Sequence, residues 1–226
     1  SIAERGGAAA LPSLIRLIEH FEGTGRLDCL VEGLASNDDL TRRMNEHRGL
    51  TRPELAVLLS TAKLAIQDAA EDGKLGADPL MDEELLAAFP PAMADAHRDA
   101  ILSHQLRNEI VATKVANRLV NRMGLIHPFE LAEEEGVGMA DVAEAFVVAE
   151  KLFELPALWA RIDSEPMPEA VRIGLYGEVA LELRAHMADL IRNAVADRSL
   201  ARCVAELSPG IALLDRQSDR LIRPAG

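Results

Sequence analysis

The sequence predicts an all-α fold: one domain over residues 1–226, built as an irregular bundle of roughly nine or ten helices. Three observations point there. Thirty-six Ala and 33 Leu supply 69 of the 226 residues, a helix-forming composition. Only seven residues are aromatic, too few for the strands of a sandwich or barrel. Apolar positions recur at helical spacing almost everywhere, with no strand–turn–helix alternation and no internal repeat. A hydrophobic share of 49% at this length is enough for a real core.

The elements follow in order. Leu11, Leu14, Ile15 and Ile18 mark a first helix, which Gly23-Thr24-Gly25 ends. A short second helix is expected from about Leu27 to Ala35. Ser36 has the character of an N-cap, with Asp39 in the acidic first turn; its helix should reach almost to Gly49. Thr51-Arg52-Pro53-Glu54 is the clearest local signal. Thr51 can cap, Glu54 can close a capping box, and Pro53 falls where a missing N–H does no harm. The stripe Leu55, Leu58, Leu59, Ala62 and Ile66 then carries a helix to about Glu71. Gly73 to Pro79 reads as a loop, and Asp82 to Phe89 as a short helix stopped by Pro90-Pro91. A long pattern from about Pro91 to Met123 should break near Ser103. Its second half carries Leu106, Ile110, Val111, Val115, Leu119 and Val120, a stripe wide enough to predict a central helix. Gly124 and Pro128 close it, and Glu133 to Gly138 reads as an acidic turn. Helices are expected over Met139 to Phe153, from Pro156 past Ile162, and from Glu169 to about Asp197. In the last of these, Tyr176, Ala180, Leu183, Met187, Leu190 and Ala194 form a short heptad seam. That seam suits either a bundle helix or self-association. Ser199–Leu207 and Ile211–Leu221 read as two final amphipathic pieces.

The excess of 37 acidic over 24 basic residues gives a net charge of −13, which repels phosphate backbones. Arg42, Arg43, His47, Arg48 and Arg52 form the nearest thing to a basic cluster, and they read as a solvated helix face and cap. No nucleic-acid partner is expected. Cys29 and Cys203 lie far apart with no CxxC spacing, which excludes a cysteine zinc site and fits a reducing compartment. Ser1 to Ala10 lacks the layout of a signal peptide. No apolar run approaches a membrane span. A cytoplasmic location is the expectation.

Tests for chemistry return little. Gly23-Thr24-Gly25 and Gly136-Val137-Gly138 lack the third glycine and the preceding strand of a dinucleotide loop, and read as helix ends. There is no phosphate-binding GxxxxGK[ST], no HExxH and no GxSxG. His97 and His104 are two helical turns apart, too far to share a metal alone. Lys63 is tempting as a reactive amine but falls on a surface helix with no evident group to depress its pKa. The most unusual polar set spans Arg107 to Arg122. Thr113, Asn117 and Asn121 repeat at i+4, and Arg107 and Arg122 flank them. Asn is a poor helix former, so the ridge wants a reason. Interhelical hydrogen bonding in a polar network is the first reading; a partner-domain contact and a ligand site are the others.

Several of these stretches together resemble one family. Arg48-Gly49-Leu50-Thr51-Arg52-Pro53-Glu54-Leu55-Ala56-Val57-Leu58-Leu59, followed by Ala62-Lys63, resembles the "GLTRPELAVLL…AK" segment of the large bacterial NAD-specific glutamate dehydrogenases. Arg107-Asn108-Glu109-Ile110-Val111-Ala112-Thr113, with Ala116-Asn117 and Val120-Asn121-Arg122, is similar to the family's "RREIIAT…AN…VNR" helix. Asp141-Val142-Ala143 through Ala149 and on to Leu158-Trp159 is similar to its "DVARAYVVA…LW" region. Order and spacing agree from about residue 11 to 198, leaving 199–226 as a helical tail. The chain departs at Gly33-Leu34-Ala35, where the family more often carries an aromatic and a Pro, and at Ser60-Thr61, where a small residue and Tyr are usual.

The resemblance implies an enzyme that converts L-glutamate, NAD+ and water to 2-oxoglutarate, ammonium and NADH. It implies a polypeptide several times longer, assembled as a homo-oligomer, with the dinucleotide fold and the substrate lysine upstream. No residue here matches that core. The expectation is a C-terminal structural and assembly domain that binds no cofactor itself, NAD belonging to the full-length enzyme. Its partners would be the upstream catalytic domain and other subunits, with Arg52, Lys63, Arg107, Asn117, Asn121 and Arg122 as candidate domain-contact or polar-network residues. The alternatives are a free-standing helical adaptor or regulatory module, and a small helical enzyme using Asn117, Asn121 and Arg122 as a ligand site.

Overall fold

A computed structural model describes residues 8–195 and 199–222. Among these the regular structure is entirely helical, as the composition predicts. The helices are α1 (Leu11–Gly23), α2 (Cys29–Glu32), α3 (Asn37–Asn45), α4 (Arg52–Asp72), α5 (Asp82–Leu86), α6 (Pro91–Ala96) and α7 (Arg98–Leu102). Then follow α8 (Arg107–Met123), α9 (His127–Glu135), α10 (Met139–Leu152), α11 (Leu155–Ser164), α12 (Glu169–Leu190) and α13 (Leu200–Ile222). Short 3-10 turns cover Leu75–Ala77 and Pro79–Met81.

Local chemistry sets most boundaries. The Thr51 capping box forms, with Glu54 reaching back to the Thr51 N–H at 2.7 Å. Ser36 caps α3 through the Asp39 N–H. The segment from Leu27 is helical for only one turn, however. Asp28 caps it at Leu30 and Val31, and Gly33 at once adopts the left-handed conformation that stops it. Likewise α3 ends at Asn45, well before Gly49, and the chain turns with His47 at positive φ. The long pattern from Pro91 breaks twice, at His97 and at Ser103–Leu106, where the His104 ring accepts the Leu106 N–H. Leu106 is therefore outside the helix and exposed rather than part of its apolar stripe.

Two further expectations are corrected. The acidic segment before Gly136 is a helix, α9, because Pro128 opens it instead of closing the previous one. The last two amphipathic pieces form one helix, α13, with Pro209 inside it. Residues 205–210 are exposed there, so the carbonyl that Pro209 leaves unbonded faces water.

The centre of the bundle is α10 rather than α8. Every residue from Val142 to Glu150 is buried, on all faces of the helix. It touches α4, α8, α9, α11, α12 and α13. An α-helix buried all round reads as continuous apolar and small residues, and Ala143, Ala145 and Ala149 let neighbours approach closely. The α4–α8 pair is the most extensive helix contact. At its edge Gly76 meets the Asn108 backbone so closely that an added Cβ would lie 2.7 Å from the Asn108 Cα. The heptad seam is used inside the chain: Ala180, Leu183, Met187 and Leu190 are buried and Tyr176 half-buried. The Ala194 side chain lies outside the described residues.

Candidate functional site

Three arginines of α8 show how the expected polar ridge resolves. Arg107 is a structural hub. Its guanidinium donates to the carbonyls of Gly76, Leu102 and Asp78 and pairs with Asp82 at 2.7 Å. Asp78, itself buried, accepts from the N–H groups of Leu80, Leu200 and Ala201 and from the Ser199 hydroxyl. It thus caps the start of α13 and ties it to the 75–81 turns. Arg118 bridges three helices, reaching Glu84 of α5 and, at 2.8 Å, Glu150 of α10. Burial raises the Glu150 pKa, and Arg118 offsets that only in part.

Arg122, one turn further, is held differently. Its Cζ lies 4.5 Å from the Trp159 ring centroid and 5.4 Å from that of Tyr176, a double cation–π contact between α11 and α12. Tyr176 donates its hydroxyl proton to Asp163 at 2.6 Å. Burial and that carboxylate raise the phenol's pKa, while Arg122 pulls the other way. Arg122, Tyr176 and Asp163 line a cleft of about 650 Å³, continued by Gly124 to His127 and by Ile173, Gly177 and Ala180, while Trp159 is buried behind Arg122. The His127 Nδ1 is buried with no hydrogen-bond partner. Burial, with Arg184 nearby, lowers its pKa, so at neutral pH the ring is uncharged.

The structure therefore brings Asn121 and Arg122 to one cleft and leaves the other candidates apart. Thr113 and Asn121 are exposed, and Asn117 donates to the Thr113 carbonyl of its own helix. Asn117 is half-buried, and side-chain bonds that join this helix to its neighbours run through Arg107 and Arg118. Arg52 is exposed at the start of α4 and Lys63 half-buried on the same helix. Sequence reasoning missed the Trp159–Tyr176–Asp163 set around Arg122, which comes from helices about 40–60 residues downstream, and His127, which had no partner in local sequence. It foresaw Glu54 at the Thr51 capping box but not that the buried carboxylate also accepts from Arg43 and the Ala35 N–H. Burial opposes that charge, but those hydrogen bonds outweigh it and hold the pKa low.

The site contains no nucleophile paired with a base. Cys29 is pushed up to about 12 by burial and by its bond to Glu22, so it is no thiolate. Among the described residues no cluster of His, Cys, Asp or Glu could hold a metal ion, and no helix is long and apolar enough to cross a membrane. Fold and cleft together define an all-helical bundle with a cleft whose wall is part polar and part apolar. The chain belongs to the glutamate dehydrogenase C-terminal family, whose pattern it matches over residues 47–226. The match thus includes the tail beyond residue 198. An NAD-specific glutamate dehydrogenase of Pseudomonas aeruginosa is 31% identical over 224 residues, covering 98% of this chain and 14% of the relative. That of Halomonas elongata is 34% identical over 171 residues, 75% of this chain and 11% of the relative. That of Mycobacterium tuberculosis is 31% identical over 164 residues, 73% and 10% respectively. The chain spans a small fraction of these relatives' length.

Proposed function

We propose that this chain is the C-terminal helical part of an NAD-dependent glutamate dehydrogenase and serves its assembly. The complete enzyme would oxidise L-glutamate with NAD+ and water to 2-oxoglutarate, ammonium and NADH. The carrying observation is the family membership of a helical domain that accounts for only 14% of a relative's length. In this reading NAD and the reacting residues belong to the upstream polypeptide, and the enzyme is a cytoplasmic homo-oligomer. Exposed apolar side chains support a docking role: Leu30 and Val31 are 92% and 77% exposed, and Leu64 lines a groove that also takes in Glu32. We assign it to the remainder of the same polypeptide, since this chain matches only 14% of a relative's length. The net charge of −13 argues against a nucleic-acid partner.

The test compares the parent gene product, the same product without these residues, and this chain alone. Glutamate-dependent NADH formation and mass by light scattering are the readouts. The chain alone should form no NADH, and the truncated product should lose its native assembly. Turnover by the chain alone would overturn the non-catalytic assignment. Unchanged assembly and activity of the truncated product would favour a free-standing helical adaptor.

A further inference from the structure

Arg107 and Arg118 of α8 each have a carboxylate within 2.8 Å, yet Arg122 on the same helix has none among the described ion pairs. The aromatic rings of Trp159 and Tyr176 fix its plane, and the Tyr176 hydroxyl engages part of a guanidinium that carries five N–H donors, so donors remain for a further acceptor. The same cleft holds the buried, unpartnered Nδ1 of His127. At Gly177 a Cβ would meet nothing within 4 Å, so the cleft is open on that side. Leu125, Ile173 and Ala180 give it an apolar wall.

We propose that this cleft binds a small monoanionic carboxylate with an apolar tail, its carboxylate on Arg122 and His127 and its tail along Ile173 and Ala180. The guanidinium fork suits a planar carboxylate. Asp163 on the wall disfavours a dianion such as phosphate, and uncharged His127 does not compensate for it. The site is independent of the assembly role.

The sequence contains a single Trp, and Trp159 stacks on the proposed ligand-binding group, so its fluorescence reports occupancy. The experiment titrates this chain with pentanoate, and with pentanamide and inorganic phosphate at matched ionic strength. Pentanoate should give a saturable change and pentanamide none. Arg122→Gln should weaken the response about 10- to 100-fold. Gly177→Leu leaves Arg122 and Trp159 in place and should block the cleft while the helical circular dichroism is retained. If Arg122→Gln fails to fold, Gly177→Leu decides. The proposal is overturned by no saturable response to millimolar pentanoate, by an equal response to pentanamide, by a stronger one to phosphate, or by an undiminished one in a folded variant.

Discussion

Replacing Arg118 with Met is expected to lower the unfolding free energy by about 3–5 kcal/mol at neutral pH, the usual cost of stripping one partner from a buried ion pair. Arg118 Nε lies 3.1 Å from both oxygens of Glu150, and Nη2 lies 2.8 Å from one of them. Its Nη1 bonds Glu84. The Glu84 and Glu150 side chains are only 12% and 5% exposed, so water replaces little of what is lost. Met keeps the stem's packing, so the loss isolates the charge. The two facing carboxylates would then repel, and Glu150, already raised by burial, would rise further. A carboxyl whose folded pKa is raised holds a proton that the unfolded chain has released. Stability is then lost as pH rises above the unfolded value near 4.3 and recovered as pH falls, by at most about 1.4 kcal/mol per unit for each group. Urea denaturation followed by far-UV circular dichroism at about pH 5 and about pH 7.5 separates the cases. The deficit should shrink at the lower pH, and adding Glu84→Gln and Glu150→Gln should restore most of it. A loss under about 1 kcal/mol at neutral pH, or one indifferent to pH, would refute the reasoning.

Gly76→Ala should cost about 1–3 kcal/mol, because its Cβ would strike the α8 backbone at Asn108 and no side-chain rotation relieves that; the urea midpoint measures it. Asp78→Ala removes the cap of α13, at about 1–2 kcal/mol, and should speed amide hydrogen exchange at Leu200 and Ala201 selectively. His127 has a depressed pKa, so its neutral form stabilises the fold above about pH 6.5, and that contribution is lost as pH falls below this value. His127→Gln should therefore flatten the melting temperature's decline between about pH 7 and pH 5 relative to the parent chain.

What could be read from sequence was whatever is encoded within one turn. Thr51, Pro53 and Glu54 carry their own helix start, and Leu11 to Ile18 their own buried face. Gly33 stops its helix after one turn where the apolar pattern runs on, and Pro128 opens a helix where the pattern suggests the close of one. The centrality of α10 was hidden because periodicity reports how a helix differs between its faces. A helix buried on every side has no contrast to report. The site was legible only at Arg122 and Asn121. An i+4 row of polar residues indicates a shared face but not how far that face is covered; here Thr113 and Asn121 are exposed and Asn117 is half-buried. The carboxylate partners of Arg118 lie 32 and 34 positions away, beyond any local pattern.

The enclosure of α10 also bears on the order in which the chain is made. Translation delivers residues 142–150 well before α12 and α13, which cover part of that helix. Until those helices emerge, Phe146, Val147 and Val148 have no complete shelter, and a nascent chain paused there offers an apolar rod to chaperones or to its neighbours. That exposure ends only when residues 169–222 have emerged and packed on α10.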